Sequence, residues 1–292
     1  MEELQTKITS YVSKANLSKF FAPGDQFLAD VASAADALRQ NPSETFRSED
    51  NIVRLTRLAL YQPVIYCDDS RSMRFSSTST SGSQLGTRYE VMVALVKRMS
   101  RICTRLVPAG TGVELRFVNS NIAGQYKANE IEKLLKDISL KAGSKLGTRL
   151  DAKILTPLVY DVINRGDRLQ RPILVCTITD GNPFGEPASL FKASILRCRE
   201  FLVEKGYDPS AVKFLISQIG DDREATRFLK DLSEDEDLQD MLYCTSDRLD
   251  HEFAELRQNE HRLDEWLLKT LTMPIIEAAE EIRRNGAAQG ED

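Results

Sequence analysis

Apolar positions along the chain change rhythm at Tyr61. Before it they recur at helical spacing: Phe27, Val31, Ala34, Ala35 and Leu38 return every three or four residues, and Gly24-Asp25 supplies a helix start. This rhythm predicts helices over 4–20, 24–40 and 49–60, so that residues 1–60 form an N-terminal helical extension. From Tyr61 onward, short apolar runs alternate with amphipathic stretches, the signature of a buried parallel sheet wrapped by helices. Strands are predicted at 63–68, 112–119, 172–179, 211–219 and 241–246, with helices at 88–106, 128–139, 149–165, 188–205 and 223–233. Such an order implies right-handed crossovers and an α/β, Rossmann-like, doubly wound and mainly parallel sheet over residues 61–250. Beyond the last strand, Phe253, Leu256, Leu263, Trp266 and Leu267 share one face of a predicted long helix that Pro274 should kink or end. That segment, 251–280, is expected to pack on the domain and the tail 281–292 to be disordered. There is no internal repeat, and the only low-complexity stretch is Ser76–Ser83, SSTSTSGS.

Composition narrows the function classes. With 292 residues, 41% of them hydrophobic, the chain can bury the core of one large domain or two small ones. A net charge of −5, with Lys and Arg interleaved among Asp and Glu, provides no basic footprint, so neither nucleic acid nor an anionic membrane is the expected partner. No apolar run approaches the roughly 20 residues of a membrane helix. The opening MEELQTKITSY lacks the apolar centre of a signal peptide, and the expected location is the cytoplasm, with the nucleus as the alternative. Cys67, Cys103, Cys176, Cys198 and Cys244 stand singly in apolar segments, without a CxxC pair, and read as reduced core residues. His251 and His261 are ten positions apart near the C-terminus, too few and too far apart for a zinc site.

In open sheets of this kind, ligands bind beyond the carboxyl ends of the strands, where strand order reverses. Three strand-end segments carry notable chemistry. The first strand runs into Asp68-Asp69-Ser70-Arg71-Ser72, an Asp-x-Ser-x-Ser sequence; a later loop has Gly147-Thr148-Arg149; and the strand PILVCTIT ends in Thr179-Asp180-Gly181. Taken singly, each is ordinary turn and N-cap chemistry. Taken together, in this order and at these separations, they resemble the metal-ion-dependent adhesion site of the von Willebrand factor A family, over about residues 61–250.

The resemblance implies that Asp68, Ser70 and Ser72 are metal ligands from the first loop, Thr148 the ligand from the second and Asp180 the carboxylate from the third. It further implies that the two serines bind directly while the threonine and the carboxylates exchange direct for water-mediated contact. The donor chemistry agrees on its own terms. Two carboxylates and three hydroxyls, with no sulfur or imidazole, suit Mg²⁺, with Mn²⁺ or Ca²⁺ as alternatives, and disfavour Zn²⁺ and Cu. So few protein ligands leave positions for water, and through one of these a partner protein's Asp or Glu would bind. On the rim, Asp69 is either a second-layer water acceptor or a solvent-facing turn residue. Arg71 and Arg149 either steer an acidic ligand or balance the local charge. The Ser76–Ser83 stretch either gates the binding face or is an inert insertion.

The expected function is therefore metal-dependent protein–protein interaction rather than catalysis. Several rivals lack a necessary part. An aspartyl-phosphate phosphatase, a Mg²⁺-dependent hydrolase suggested by Asp68-Asp69 and Gly220-Asp221-Asp222, needs Asp-x-Asp, and Ser70 stands where its general acid would be. A receiver-type domain would need a different strand order and a Lys on the last strand. Neither glycine-rich nucleotide-binding motif is present, and both histidines lie too far toward the C-terminus to serve Ser70 or Ser72. The remaining alternative is a metal-silent scaffold that binds through its terminal helices, with Leu263, Trp266 and Leu267 as the contact stripe.

Overall fold

The computed structural model describes residues 1–78, 84–108 and 111–288. Three helices come first: α1 (Glu2–Lys14), α2 (Gln26–Gln40) and α3 (Glu49–Ala59). The first ends earlier than its apolar pattern suggests because Asn16 takes a left-handed conformation (φ 57°), which Asn tolerates better than most residues, and its side-chain amide then donates to Asp208. Side-chain oxygens of Asp25 and Ser48 cap α2 and α3.

Strand β1 (Gln62–Cys67) follows, then a hairpin of β2 (Ser76–Thr78) and β3 (Gln84–Thr87) whose tip, 79–83, lies outside the described residues. The Ser76–Ser83 stretch thus enters an ordered strand, and the expectation that it gates or merely decorates the face falls on residues not described. Helix α4 (Arg88–Cys103) starts in a capping box formed by Thr87 and Glu90. Strand β4 (Val113–Phe117) pairs with the short antiparallel β5 (Gly124–Tyr126), and α5 (Ala128–Lys136) follows. Next come α6 (Leu146–Leu150), a π-helical stretch (Asp151–Tyr160) and α7 (Asp161–Asn164). The π stretch contains Pro157; the carbonyl of Lys153, four residues earlier, accepts the Arg116 Nε–H of β4 at 3.0 Å. Strand β6 (Ile173–Thr179), α8 (Ser189–Glu204), β7 (Val212–Gln218), α9 (Arg223–Ser233) and β8 (Leu242–Cys244) complete the alternation.

The main sheet has the order β5-β4-β1-β6-β7-β8, parallel except for β5. This is a mainly parallel, Rossmann-like doubly wound α/β fold. The chain leaves β1 for β4 on one side and later returns to β6 on the other, so the carboxyl ends of β1 and β6 flank the switch point.

Alternation along the strands divides the core. Ile65, Cys67, Leu115, Phe117, Leu174 and Cys176 face one layer, shared with α1, α2, α3, α4 and the C-terminal helix. Val64, Tyr66, Val175, Phe214 and Ile216 face the other, shared with α6, the π stretch, α8 and α9. The N-terminal helices are continuous with the sheet's own core rather than a separate body.

After β8 the chain forms two helices rather than one, α10 (Leu249–Leu256) and α11 (Glu260–Ala288). Pro274 does not end α11. Leu263, Leu267, Leu268, Leu271 and Ile275 are all buried, and this packing outweighs the roughly 3 kcal/mol that an internal proline costs a helix. The tail expected to be disordered is helical to Ala288, and 289–292 lie outside the described residues. The hairpin is tied to α10 by the Ser77 hydroxyl, which donates to the buried Asp250 carboxylate at 2.6 Å. Ser77→Ala removes that donor and is expected to cost about 2 kcal/mol in urea unfolding; an unchanged midpoint would show that the tie carries no stability.

Candidate metal centre

Four of the five predicted ligands meet at the switch point. Cys67 ends β1, and the Asp68 carboxylate, fully buried, accepts the Ser70 N–H at 2.8 Å on Oδ1. Its Oδ2 accepts the hydroxyls of Thr179 at 2.7 Å and Ser144 at 3.1 Å. Ser70 then leads into a single 3₁₀ turn, Arg71–Arg74. This turn brings the Ser72 hydroxyl to 2.9 Å from both Ser70 Oγ and Asp180 Oδ1 at the end of β6. One chain of oxygens therefore runs Ser70–Ser72–Asp180, with Asp68 attached through the backbone of Ser70.

Thr148 is not part of this chain. It is exposed, and its hydroxyl donates to Glu186 at 2.5 Å. The same carboxylate accepts the N–H groups of Gly147 at 2.7 Å and Thr148 at 3.0 Å, capping from a distance the first turn of α6, where helix amides have no partner within the helix.

The rim residues separate as well. Asp69 is fully buried rather than on an exposed rim; it accepts the N–H groups of Asn119 and Ser120, both at 2.7 Å, and so fastens the loop after β4. Arg71 and Arg149 are exposed, as are Lys141 and Lys145, and none of the four forms an ion pair among the described residues. Two exposed aromatics stand beside them. Phe75 follows the 3₁₀ turn, and Phe184 pairs through its backbone with Ser144, the residue that donates to Asp68.

Charge at the centre is dominated by burial. Burial pushes the Asp68 carboxyl above the usual aspartate range, opposed by the hydrogen bonds from Thr179, Ser70 and Ser144. Asp180 is pushed up by burial and then by the neighbouring Asp68 charge, against the pull of Arg88 and Ser72. Asp69 is raised by burial too, against the two backbone donors. Across the loop, burial and the nearby Arg149 hold the Lys153 ammonium below the usual lysine range while it donates to the carbonyls of Phe117 and Ser120.

Sequence reasoning gave Thr179 no role of its own and missed Ser144, Glu186 and, most consequentially, Arg88. The Arg88 guanidinium is buried and donates to Asp180 Oδ2 and Asp221 Oδ1, each at 2.9 Å. A local signal was available: the Thr-x-x-Glu capping box puts Arg88 at the positive end of a helix, an unfavourable place for a cation unless carboxylates await it. Ser144 carried no such signal, since it meets Asp68 across 76 positions of sequence.

The donor set suits a hard divalent cation: two buried carboxylates and two hydroxyls within one hydrogen-bonded group, at the mouth of a parallel sheet. Neither histidine is hydrogen-bonded to this group among the described residues; they lie on α10 and α11, where His261 Nδ1 pairs with the Thr45 hydroxyl at 2.8 Å. Among the described residues, no helix is long and apolar enough to cross a membrane. No family model matches this chain, and no curated protein shows significant similarity to it.

Proposed function

We propose that the chain is a von Willebrand factor A-type domain that recognises a partner protein through a divalent cation, Mg²⁺ by preference, rather than an enzyme. The observation that supports this most is the convergence of Asp68, Ser70, Ser72 and Asp180 into one hydrogen-bonded oxygen cluster at the switch point. These four residues would hold the ion, with Thr148 joining only if it leaves Glu186. Once bound, the cation would present open coordination positions to a carboxylate from the partner.

The surroundings favour an acidic partner segment with apolar neighbours. Arg71, Lys141, Lys145 and Arg149 are exposed cations without ion-pair partners among the described residues, on a chain whose net charge is −5. Phe75 and Phe184, 63% and 74% exposed, offer apolar contact. Among the described residues, no histidine is hydrogen-bonded to Ser70 or Ser72 to serve as a base, which argues for recognition over hydroxyl-nucleophile catalysis. Five free cysteines, four of them buried, are in keeping with a reducing compartment, and the reading puts the protein in the cytoplasm, with the nucleus as the alternative.

A second reading, a scaffold whose centre never takes a metal, draws support from the Arg88–Asp180 ion pair. Its proposed contact stripe does not fare as well: Leu263 and Leu267 are buried, leaving Trp266 only partly accessible. Titration calorimetry of Mg²⁺ and Mn²⁺ into chelator-treated protein decides between the two. The expected result is one site, lost in Asp180→Ala, whereas no heat from millimolar Mn²⁺ would support the scaffold.

A further inference from the structure

Arg88 has no role in the reading above, yet the fold makes several provisions for it. The capping box sets it as the first residue of α4, and its own N–H donates to the Phe75 carbonyl at 2.9 Å. Its guanidinium lies 5.7 Å from the Phe75 ring centroid. On its other side is Gly220, at φ 83°, where any Cβ would run into the guanidinium. The slot between Phe75 and Gly220 thus exists only because residue 220 has no side chain. At its end, Asp180 and Asp221 each accept one N–H, while Nε, buried, has no hydrogen-bond partner.

Two features define what this arrangement can do. Asp180 is almost fully buried beside a second buried carboxylate, Asp68, so its ionised form needs a cation within reach. The hold on Arg88 is nevertheless loose for an arginine. Its contacts go singly to two different carboxylates, one of them 70% exposed, rather than in the paired fork that makes arginine–carboxylate contacts strong.

We propose that Arg88 is a resident counter-cation of this centre, which competes with the divalent ion for Asp180 and thereby sets how tightly the ion binds. The inference rests on the metal-binding reading above. Both cations draw on the same carboxylate: Arg88 takes Oδ2 while Ser72 shares Oδ1 with the proposed coordination sphere. Their like charges repel across a few ångströms of poorly solvated interior, so occupancy by one weakens the other. Retraction of Arg88 toward Asp221, its second and more exposed anchor, would release Asp180 without stranding the guanidinium.

The test is Mn²⁺ titration calorimetry on the unmodified chain, Arg88→Gln and Arg88→Lys, with thermal melts as a check on folding. Arg88→Gln removes the competing charge and is expected to bind Mn²⁺ at least about ten-fold more tightly, whereas Arg88→Lys, which keeps the charge, stays within about three-fold of the unmodified chain. If Arg88→Gln does not fold, Gly220→Ala serves instead, because it closes the slot while leaving every proposed ligand in place, and tighter binding is again expected. Equal or weaker binding in the variant, with clear binding by the unmodified chain, would overturn the counter-cation role and leave the metal reading intact. Binding by the variant alone would support the role and assign the unmodified chain to the metal-silent reading. Absence of Mn²⁺ binding in every protein would overturn the metal reading, and this inference with it.

Discussion

Asp68→Asn is expected to abolish divalent-cation binding while leaving chelator-treated protein at least as stable as the unmodified chain at neutral pH. The Asp68 carboxylate is fully buried, and burial raises its pKa in the folded protein. A raised carboxyl pKa means that the folded state holds its proton more tightly than the unfolded state does. Ionised Asp68 therefore lowers stability progressively as pH climbs from the ordinary aspartate range through its raised value. Asparagine removes that charge and keeps the shape. Its carbonyl can accept the Ser70 N–H, and its amide can donate to the hydroxyl oxygens of Ser144 and Thr179, both of which rotate freely enough to accept. The expected gain is about 1 kcal/mol at pH 7.5, smaller at pH 4 and gone only below the ordinary aspartate range. Urea unfolding with chelator at pH 7.5 and pH 4 measures it. A loss of stability at pH 7.5 would mean that Asp68 serves the fold and is not held ready for a cation.

Gly147→Ala should produce the largest loss of stability. A Cβ at this position would lie 2.5 Å from the backbone carbon of Leu190 and the backbone nitrogen of Phe191, at the start of α8. Backbone in a packed helix cannot give way as the end of a flexible side chain can, so α6 and α8 must separate. Leu146, Leu150, Phe191 and Ile195, all fully buried, would then lose part of their packing. The cost is expected near the top of the range for overpacked cores, about 3 kcal/mol, or on the order of 6–12 °C in melting temperature. The glycine of the Gly-Thr pair thus has a packing role independent of any metal. An unchanged melting temperature would show that the helices can part freely and that the close approach is incidental.

Much of this was legible in the residue order. The strands at 62–67, 173–179 and 212–218 are short, mainly apolar runs because both faces of a central parallel strand are buried, and such runs differ sharply from the amphipathic helices between them. The strands that were missed, β2, β3 and β5, are three or four residues long and lie at edges or in a hairpin, where no run of apolar residues is required. That Pro274 does not end its helix has a related reason. Its local effect on a helix is known, but whether the helix survives depends on what Leu271 and Ile275 bury on either side of it.

Within the centre, the same division holds at the level of single atoms. Residue type and spacing were enough to mark Asp68, Ser70, Ser72 and Asp180 as strand-end oxygen donors, because sheet topology brings the ends of β1 and β6 together. Whether a nearby polar residue faces that centre, faces away or is buried beneath it was settled only by packing between segments distant in the chain. Thr148 turns to Glu186, 38 positions on; Asp69 is drawn inward by the backbone at 119 and 120; and Arg88 reaches Asp180 across 92 positions. A hydroxyl, a carboxylate or a guanidinium has several partners of comparable strength, so its direction follows from which of them the assembled core leaves within reach. Local pattern therefore specified the elements and the oxygen donors, and long-range packing placed an arginine among them.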